Sequence, residues 1–287
     1  MKTKVLHILA IVLAVLSVTV ICACADKETP IQHLKNEEEC VFFINVGRGD
    51  AILIRTGGKY VLIDAGSNAH TDDLTSALTL AGVGRIDVLV VTHANSDHFG
   101  GVKPLSETIE IGKVYYPEFS EQNKNGKNKL AKQIKKLELD ASAVAAGDVI
   151  EIGNVSLDVL GPAERIEGDE NDNSIVLRGQ IGGITYLFTG DMQFVEEASI
   201  MATGCELDCD VLKVPNHGHN DATSAEFAAA ASPQVSIVTT STKEDGNTAS
   251  VAVRDRLAKY GAYHVTEDAE VGILIYVEDG EIKVLYI

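Results

Sequence analysis

The sequence predicts an α/β fold of two similar halves, packed sheet against sheet with helices outside. Three observations point there. Short hairpins followed by strand–helix alternation occur twice along the chain. The run at 88–91 is continuously apolar, as in a strand buried on both faces. Hydrophobic residues make up 45% of 287 positions, enough for a large core and too many for wholesale disorder.

The elements follow in order. The runs 40–46, 51–55 and 60–63 are β-branched or aromatic, and Gly47-Arg48-Gly49-Asp50 and Gly57-Gly58 separate them, so they read as hairpin strands. Leu74, Leu78 and Ala81 recur at helical spacing over 71–81, with Asp72 and Asp73 near the start. The strand at 88–91 runs into a polar loop. A short helix, a strand at 113–116 and a Lys-rich helix near 128–139 come next. The second half has strands at 155–160, 175–180 and 184–188, and a helix at 192–202. Beyond it alternate a strand at 211–214, a helix at 224–231, a strand at 235–239 and a helix at 250–260. A hairpin, 271–277 with 281–286, closes the chain around Asp279-Gly280.

Charge and cysteine content narrow the classes. The formal charge is −18, which argues against a general polyanion binder. Five Cys are too few for a disulfide scaffold, although a Cys205–Cys209 bridge is an option outside the cell. Lys2 and Lys4 precede an uncharged apolar stretch that lasts to Ala25, which reads as an export signal. Ala23-Cys24 within it resembles a bacterial lipobox, so Cys24 is the expected lipid-bearing first residue. Ordinary signal cleavage and an uncleaved membrane helix are the alternatives, and each puts the working domain outside the cytoplasm. Losing Lys2 and Lys4 deepens the charge to −20. Residues 26–39 are polar and read as a tether, leaving 40–287 as the domain.

The loop His93-Ala94-Asn95-Ser96-Asp97-His98 carries the chemistry. It places two imidazoles, a carboxylate and an amide at a strand end, where α/β ligand sites form. As a bland alternative, it is a polar turn with Asp97 capping the next helix. Two further strand ends change the balance: Thr189-Gly190-Asp191, and Pro215-Asn216-His217-Gly218-His219. Singly each is an ordinary loop, but together they present ligand types at three strand ends.

The segments FINVGRGDAILIRT, YVLIDAG, VLVVTHANSDHFGG, NDNSIVLRG, LFTGD and VLKVPNHGH run in one order over about residues 40–280. With them the sequence resembles the metallo-β-lactamase superfamily, and within it the β-lactamase-like domain of DNA-uptake competence channels and related secreted stand-alone proteins. The resemblance implies a four-layer αββα sandwich with a metal site at one edge. It also exposes departures. The family loop HxHxDH has Asn95 at its second His, where the competence-type subgroup often has an acid. The His of the third motif is absent, with Asn171, Asn173 and Ser174 in its region. The His-His-Gly-Ser motif reads Asn216-His217-Gly218-His219. Carried over residue by residue, one metal position keeps only His93 with weak help from Asn95 or Asn173. The other keeps Asp97, His98 and His217, with Asp191 bridging.

Such a donor set suits Zn²⁺ or Mn²⁺, and a bound cation lowers the pKa of its water to about 7 for zinc. The expected function is therefore an extracytoplasmic hydrolase of phosphodiesterase or nuclease type that uses a metal-activated hydroxide. Asp97 would orient the nucleophile or hold the metal, and His219 or Asn216 would polarise the substrate oxygen. Residues 122–136 add six lysines without an acid: Lys124, Lys127, Lys129, Lys132, Lys135 and Lys136. They read either as a solvated helix or as a flap attracting an anionic substrate. The rival reading of the whole chain is a non-catalytic, degenerate binding member of the same fold.

Overall fold

A computed structural model describes residues 28–120 and 128–287. The export signal with Cys24, and Lys124 and Lys127 of the basic stretch, lie outside the described residues. So does the side chain of Lys129. No helix among the described residues is long and apolar enough to cross a membrane.

The first half runs α1 (Pro30–Asn36), β1 (Cys40–Ile44), β2 (Ile52–Thr56), β3 (Lys59–Ile63), α2 (Thr71–Leu80), β4 (Arg85–Val90), α3 (Ser96–Phe99), α4 (Val102–Ser106), β5 (Glu110–Pro117), α5 (Lys129–Lys136) and β6 (Asp140–Val144). The second runs β7 (Val149–Ile152), β8 (Val155–Gly161), β9 (Val176–Ile181), β10 (Ile184–Phe188), α6 (Phe194–Thr203), β11 (Val211–Lys213), α7 (Ala225–Ala231), β12 (Val235–Val238), α8 (Val251–Leu257) and β13 (Ala262–Val265). The closing hairpin is β14 (Gly272–Glu278) and β15 (Glu281–Tyr286).

Two sheets form, in the orders β15-β14-β1-β2-β3-β4-β5-β6 and β13-β12-β11-β10-β9-β8-β7. Each passes from antiparallel hairpins to parallel strands: β1 to β3 and then β3 to β6 in one, β7 to β10 and then β10 to β13 in the other. The final hairpin crosses back to the first sheet, where β14 pairs with β1 from Val41↔Ile275 to Ile44↔Gly272. Every residue of β1 is buried, because its two faces meet two different apolar layers. Val41 and Phe43 point between the sheets, while Phe42 and Ile44 point to the outer helices. A third apolar layer lies between the second sheet and its helices, with Leu187, Leu212, Ile200, Phe227 and Leu257. Three apolar layers make a four-layer αββα sandwich.

Three strands carry little sequence signal: β6, β7 and β13. Each is a sheet edge, and each is half exposed, so its apolar pattern is weak. Helix α1 lies inside the stretch read as a tether. Thr29 and Gln32 form a capping box with Pro30 at the first turn, and Leu34 is buried. The buried Arg55 guanidinium donates to the carbonyls of Lys35 and Glu37 at 2.9 Å and of Ala81 at 2.6 Å. From Pro30 onward this stretch therefore packs on the domain. Cys40, Cys205 and Cys209 are all free thiols, so the Cys205–Cys209 bridge is not formed. On α5, Leu130 and Ile134 are buried while Lys132, Lys135 and Lys136 face solvent.

Phe43 sits fully buried between the sheets, its ring centroid 6.4 Å from that of Phe188. Phe43→Ala should lower stability by about 3–5 kcal/mol. Urea denaturation followed by circular dichroism measures this.

Candidate metal centre

Parallel strands of both sheets end at one edge, and the polar cluster forms there. Asp64 follows β3 and His93 lies beyond β4. Asp191, His217 and Thr239 lie beyond β10, β11 and β12. At such an edge side chains leave the ladder and converge. Helix α3 supplies Asp97 and His98, and the loop before β2 supplies Asp50. Asn216 and His217 both adopt the left-handed backbone region, at φ 43° and 51°, a strained conformation for residues with a Cβ. The Ala249 N–H donates to the His217 carbonyl at 2.9 Å and holds this bend.

Four side chains meet. His98 Nε2 and His217 Nε2 each lie 3.1 Å from Asp191 Oδ2 and 3.3 Å from one another. Asp97 Oδ2 is 3.6 Å from His217 Nε2. Ligand atoms 2.0–2.1 Å from a tetrahedral ion are about 3.3 Å apart, so this triangle has the dimensions of one coordination face. Asp191 Oδ2 and His93 Nε2 are buried without an aligned hydrogen bond, as expected of atoms whose partner is a cation.

The imidazoles are pre-oriented. The Thr239 carbonyl can only accept, so His217 donates to it from Nδ1 at 2.6 Å and presents Nε2 inward. His98 Nδ1 donates to Asp64 Oδ2 at 2.7 Å. Asp64 also accepts from the Thr92 N–H at 2.8 Å and the Thr92 hydroxyl at 2.6 Å, so it supports the site without facing it.

Asp50, His98, Asp191 and His217 offer ligand atoms all within 4.8 Å of one another and could hold a metal. Asp50, however, is already engaged. Its Oδ2 pairs with Lys213 Nζ at 2.7 Å, and its Oδ1 accepts from the Thr239 hydroxyl. Lys213 also donates to the Gly190 carbonyl at 2.7 Å and lies 3.5 Å from Asp191 Oδ1. Asp97 is the more open carboxylate: its Oδ2 meets Arg48 Nη1 at 2.7 Å on the rim and lies 3.6 Å from His217 Nε2.

Charge follows from these contacts. Burial pushes the His217 imidazole down, but Asp191 and Asp97 outweigh it and lift it to about 9. His98 is raised well above its ordinary value by Asp191, Asp64 and Asp50, again against burial. Burial raises the Asp191 carboxyl, yet His217, His98 and Lys213 hold it well below the usual carboxylate range. His93 has burial and His98 against it and drops to about 3, so it stays neutral.

The structure thus brings together Asp97, His98, Asp191 and His217. His93 stands at the margin, its Nε2 3.9 Å from Asp191 Oδ2. Asn95 turns away and donates to Asn171 Oδ1 at 2.5 Å. Asn173 holds the backbone of Ile166 and Asp169, and Asn216 donates to Asp221. His219 lies outside the cluster, paired with Asp245 Oδ2 at 3.2 Å. Asp50 and Lys213 escaped the sequence reading. A signal was there: a lysine inside the buried strand Val211–Lys213 demands a buried partner. Beside the loop lies a cleft of about 520 Å³, lined by Asn95, Arg165, Ile166, Gly168, Asp169, Glu170 and Asn173.

Residues 44–241 match the family described as the metallo-beta-lactamase superfamily. The chain is 30% identical over 234 residues to a protein named Competence protein ComA, from Neisseria gonorrhoeae, covering 80% of this chain and 31% of that one. It is 26% identical over 224 residues to ComE operon protein 3 of Bacillus subtilis, covering 71% and 28%. The chain therefore spans about a third of the length of these relatives. Among solved structures, the metallo-beta-lactamase fold protein YhfI of Bacillus subtilis superposes with a TM-score of 0.55 at 14% identity, covering 83% of this chain and 99% of that one. A diphosphatase of the PhnP family superposes with a TM-score of 0.53 at 14% identity, covering 87% and 99%. These two likenesses concern the fold.

Two outcomes are expected. With metal removed by a chelator, the stability from His217 is fully present below its ordinary value near pH 6.5 and is lost as pH rises through about 9. The melting temperature of the chelated protein should fall across that window. The gain on adding Zn²⁺ should grow, since ligation needs a neutral imidazole. Thermal denaturation with and without Zn²⁺ at several pH values reads both trends. Separately, Lys213→Met leaves Asp50 buried without its cation and should cost about 3–5 kcal/mol in denaturant titration.

Proposed function

The chain belongs to the metallo-beta-lactamase superfamily, and from that premise we propose that it is an extracytoplasmic, metal-dependent hydrolase acting on phosphodiesters. The main support is the triangle of His98 Nε2, His217 Nε2 and Asp191 Oδ2 at 3.1–3.3 Å, with Asp97 at its fourth corner. In this reading Asp97, His98, Asp191 and His217 hold one strong cation, Zn²⁺ or Mn²⁺. The neighbouring position is depleted, because Asn95 and Asn173 are committed to protein partners and only His93 is left. A divalent cation held there supplies Lewis acidity and lowers the pKa of water towards about 7. The protein's own groups do the rest. Asp64 and Thr239 fix the imidazole tautomers, Lys213 balances Asp50 and Asp191, and neutral His93 adds no charge.

The substrate class rests on the named competence relatives and on the exposed Lys132, Lys135 and Lys136 of α5. Asn128, at the start of α5, donates to the carbonyls of Pro117 and Glu118, where β5 ends at the same edge as the cluster. Anchoring through a lipid on Cys24 completes the proposal, with free secretion or an uncleaved anchor as its alternatives. The diverted amides favour one rival reading, a binding member of the fold without turnover.

Elemental analysis of the purified protein should find close to one tightly held metal per chain. Asp191→Asn removes a direct ligand and should cut metal affinity by more than the roughly 10–100-fold typical of an outer-shell change, and with it hydrolysis of bis-nitrophenyl phosphate and single-stranded DNA. A stoichiometric metal with no turnover of either substrate would move the protein to the binding reading. Full turnover surviving the double change Asp97→Ala, His98→Ala would overturn the site assignment.

A further inference from the structure

A site rich in carboxylates, in a chain of charge −18, repels an anionic substrate unless a cation stands at its mouth. Lys213 does not serve, being fully enclosed. Arg48 does. Its side chain is one-third exposed, and its guanidinium spans Asp97 Oδ2 at 2.7 Å from Nη1 and Asp245 Oδ2 at 3.3 Å from Nε. The same Asp245 oxygen holds His219 Nε2 at 3.2 Å. The exposed third of the Arg48 side chain leaves it open to a ligand from solvent beside the cluster.

The loop is built to put Arg48 there. A Cβ at Gly49 would come within 2.5 Å of the Asp97 carbonyl, so only glycine lets this backbone press onto α3. The Asp50 N–H donates to that carbonyl at 3.2 Å, and the Arg48 N–H donates to Glu244 Oε2 at 3.1 Å. The guanidinium is thus anchored on two sides before any ligand arrives, which reduces the ordering cost of binding.

We propose that Arg48, with His219 beside it on Asp245, forms an anion subsite at the mouth of the metal centre that takes the non-bridging oxygens of a phosphoryl group. Arg48 is a specificity-determining residue: its fixed charge and planar fork select a phosphodiester over a neutral ester. This deepens the hydrolase reading and rests on it for the reaction, but binding can be measured without turnover.

The experiment uses the full-length, metal-loaded protein with inorganic phosphate as the probe, by isothermal titration calorimetry. Arg48→Gln should weaken phosphate about tenfold or more at unchanged metal content, and Arg48→Lys should recover part of the loss. In kinetics, Arg48→Gln should raise KM for bis-nitrophenyl phosphate about tenfold with kcat within threefold, and leave a neutral nitrophenyl ester unaffected. Equal phosphate affinity in wild type and Arg48→Gln overturns the subsite. So does an equal loss on neutral and anionic substrates accompanied by metal loss. Should Arg48→Gln fail to fold, Arg48→Lys decides, because a point charge in place of the fork should still lower phosphate affinity measurably. Phosphate binding that depends on Arg48, without turnover of any ester, would uphold the subsite and remove the hydrolase reading.

Discussion

Carboxylates buried at the meeting edge of two sheets dictate how the surrounding side chains are arranged. Asp50, Asp64 and Asp191 are each at most 1% exposed, and unpaired charges there would be prohibitively costly. Asp64 is answered by His98 and Thr92 within its own half, and the other two across the sandwich. Asp50 of the first half meets Lys213 and Thr239 of the second. Asp191 of the second half meets His98 of the first. Charge balance therefore crosses the sandwich, and the same contacts that neutralise the edge register one sheet against the other.

That balance also underlies the proposal of a single cation. Lys213 faces Asp50 and one oxygen of Asp191, so the other Asp191 oxygen is left for the two imidazoles. The amides at 95, 173 and 216 point elsewhere and stabilise loops. One side of the edge gathers His98, Asp191 and His217, which could hold a metal. On the other side, His93 stands next to hydrogen bonds that hold the protein together.

The strong negative charge of the chain is unevenly arranged. Part of it is sequestered in the edge cluster, where lysine and imidazoles compensate it. The compensating cations differ in access: Lys213 is sealed inside, Arg48 reaches solvent, and the lysines of α5 stand on an exposed helical face. A single net charge therefore describes this surface poorly.

Much of the fold was legible in the chain because central strands are buried on both faces, and their apolar runs, as at 88–91, declare themselves without help. Edge strands β6, β7 and β13 were not legible, since half exposure weakens their pattern. Helix α1 was hidden because a single Leu34 carries its burial. The ligand types His93, Asp97, His98, Asp191 and His217 could be read from strand ends and motif order. Which of them converge could not, because that depends on two sheets, far apart in sequence, closing on one edge. The roles of Asn95 and Asn216 depended on neighbours at 171 and 221. Asp50 with Lys213, and Arg48 with Asp245, pair across about 160 and 200 residues of chain. The layers and most of the ligand types could be read along the chain, since periodicity and residue type are local properties. Which donors share one buried volume depends on the closed sandwich, since that is where desolvation forces every charge to find a partner.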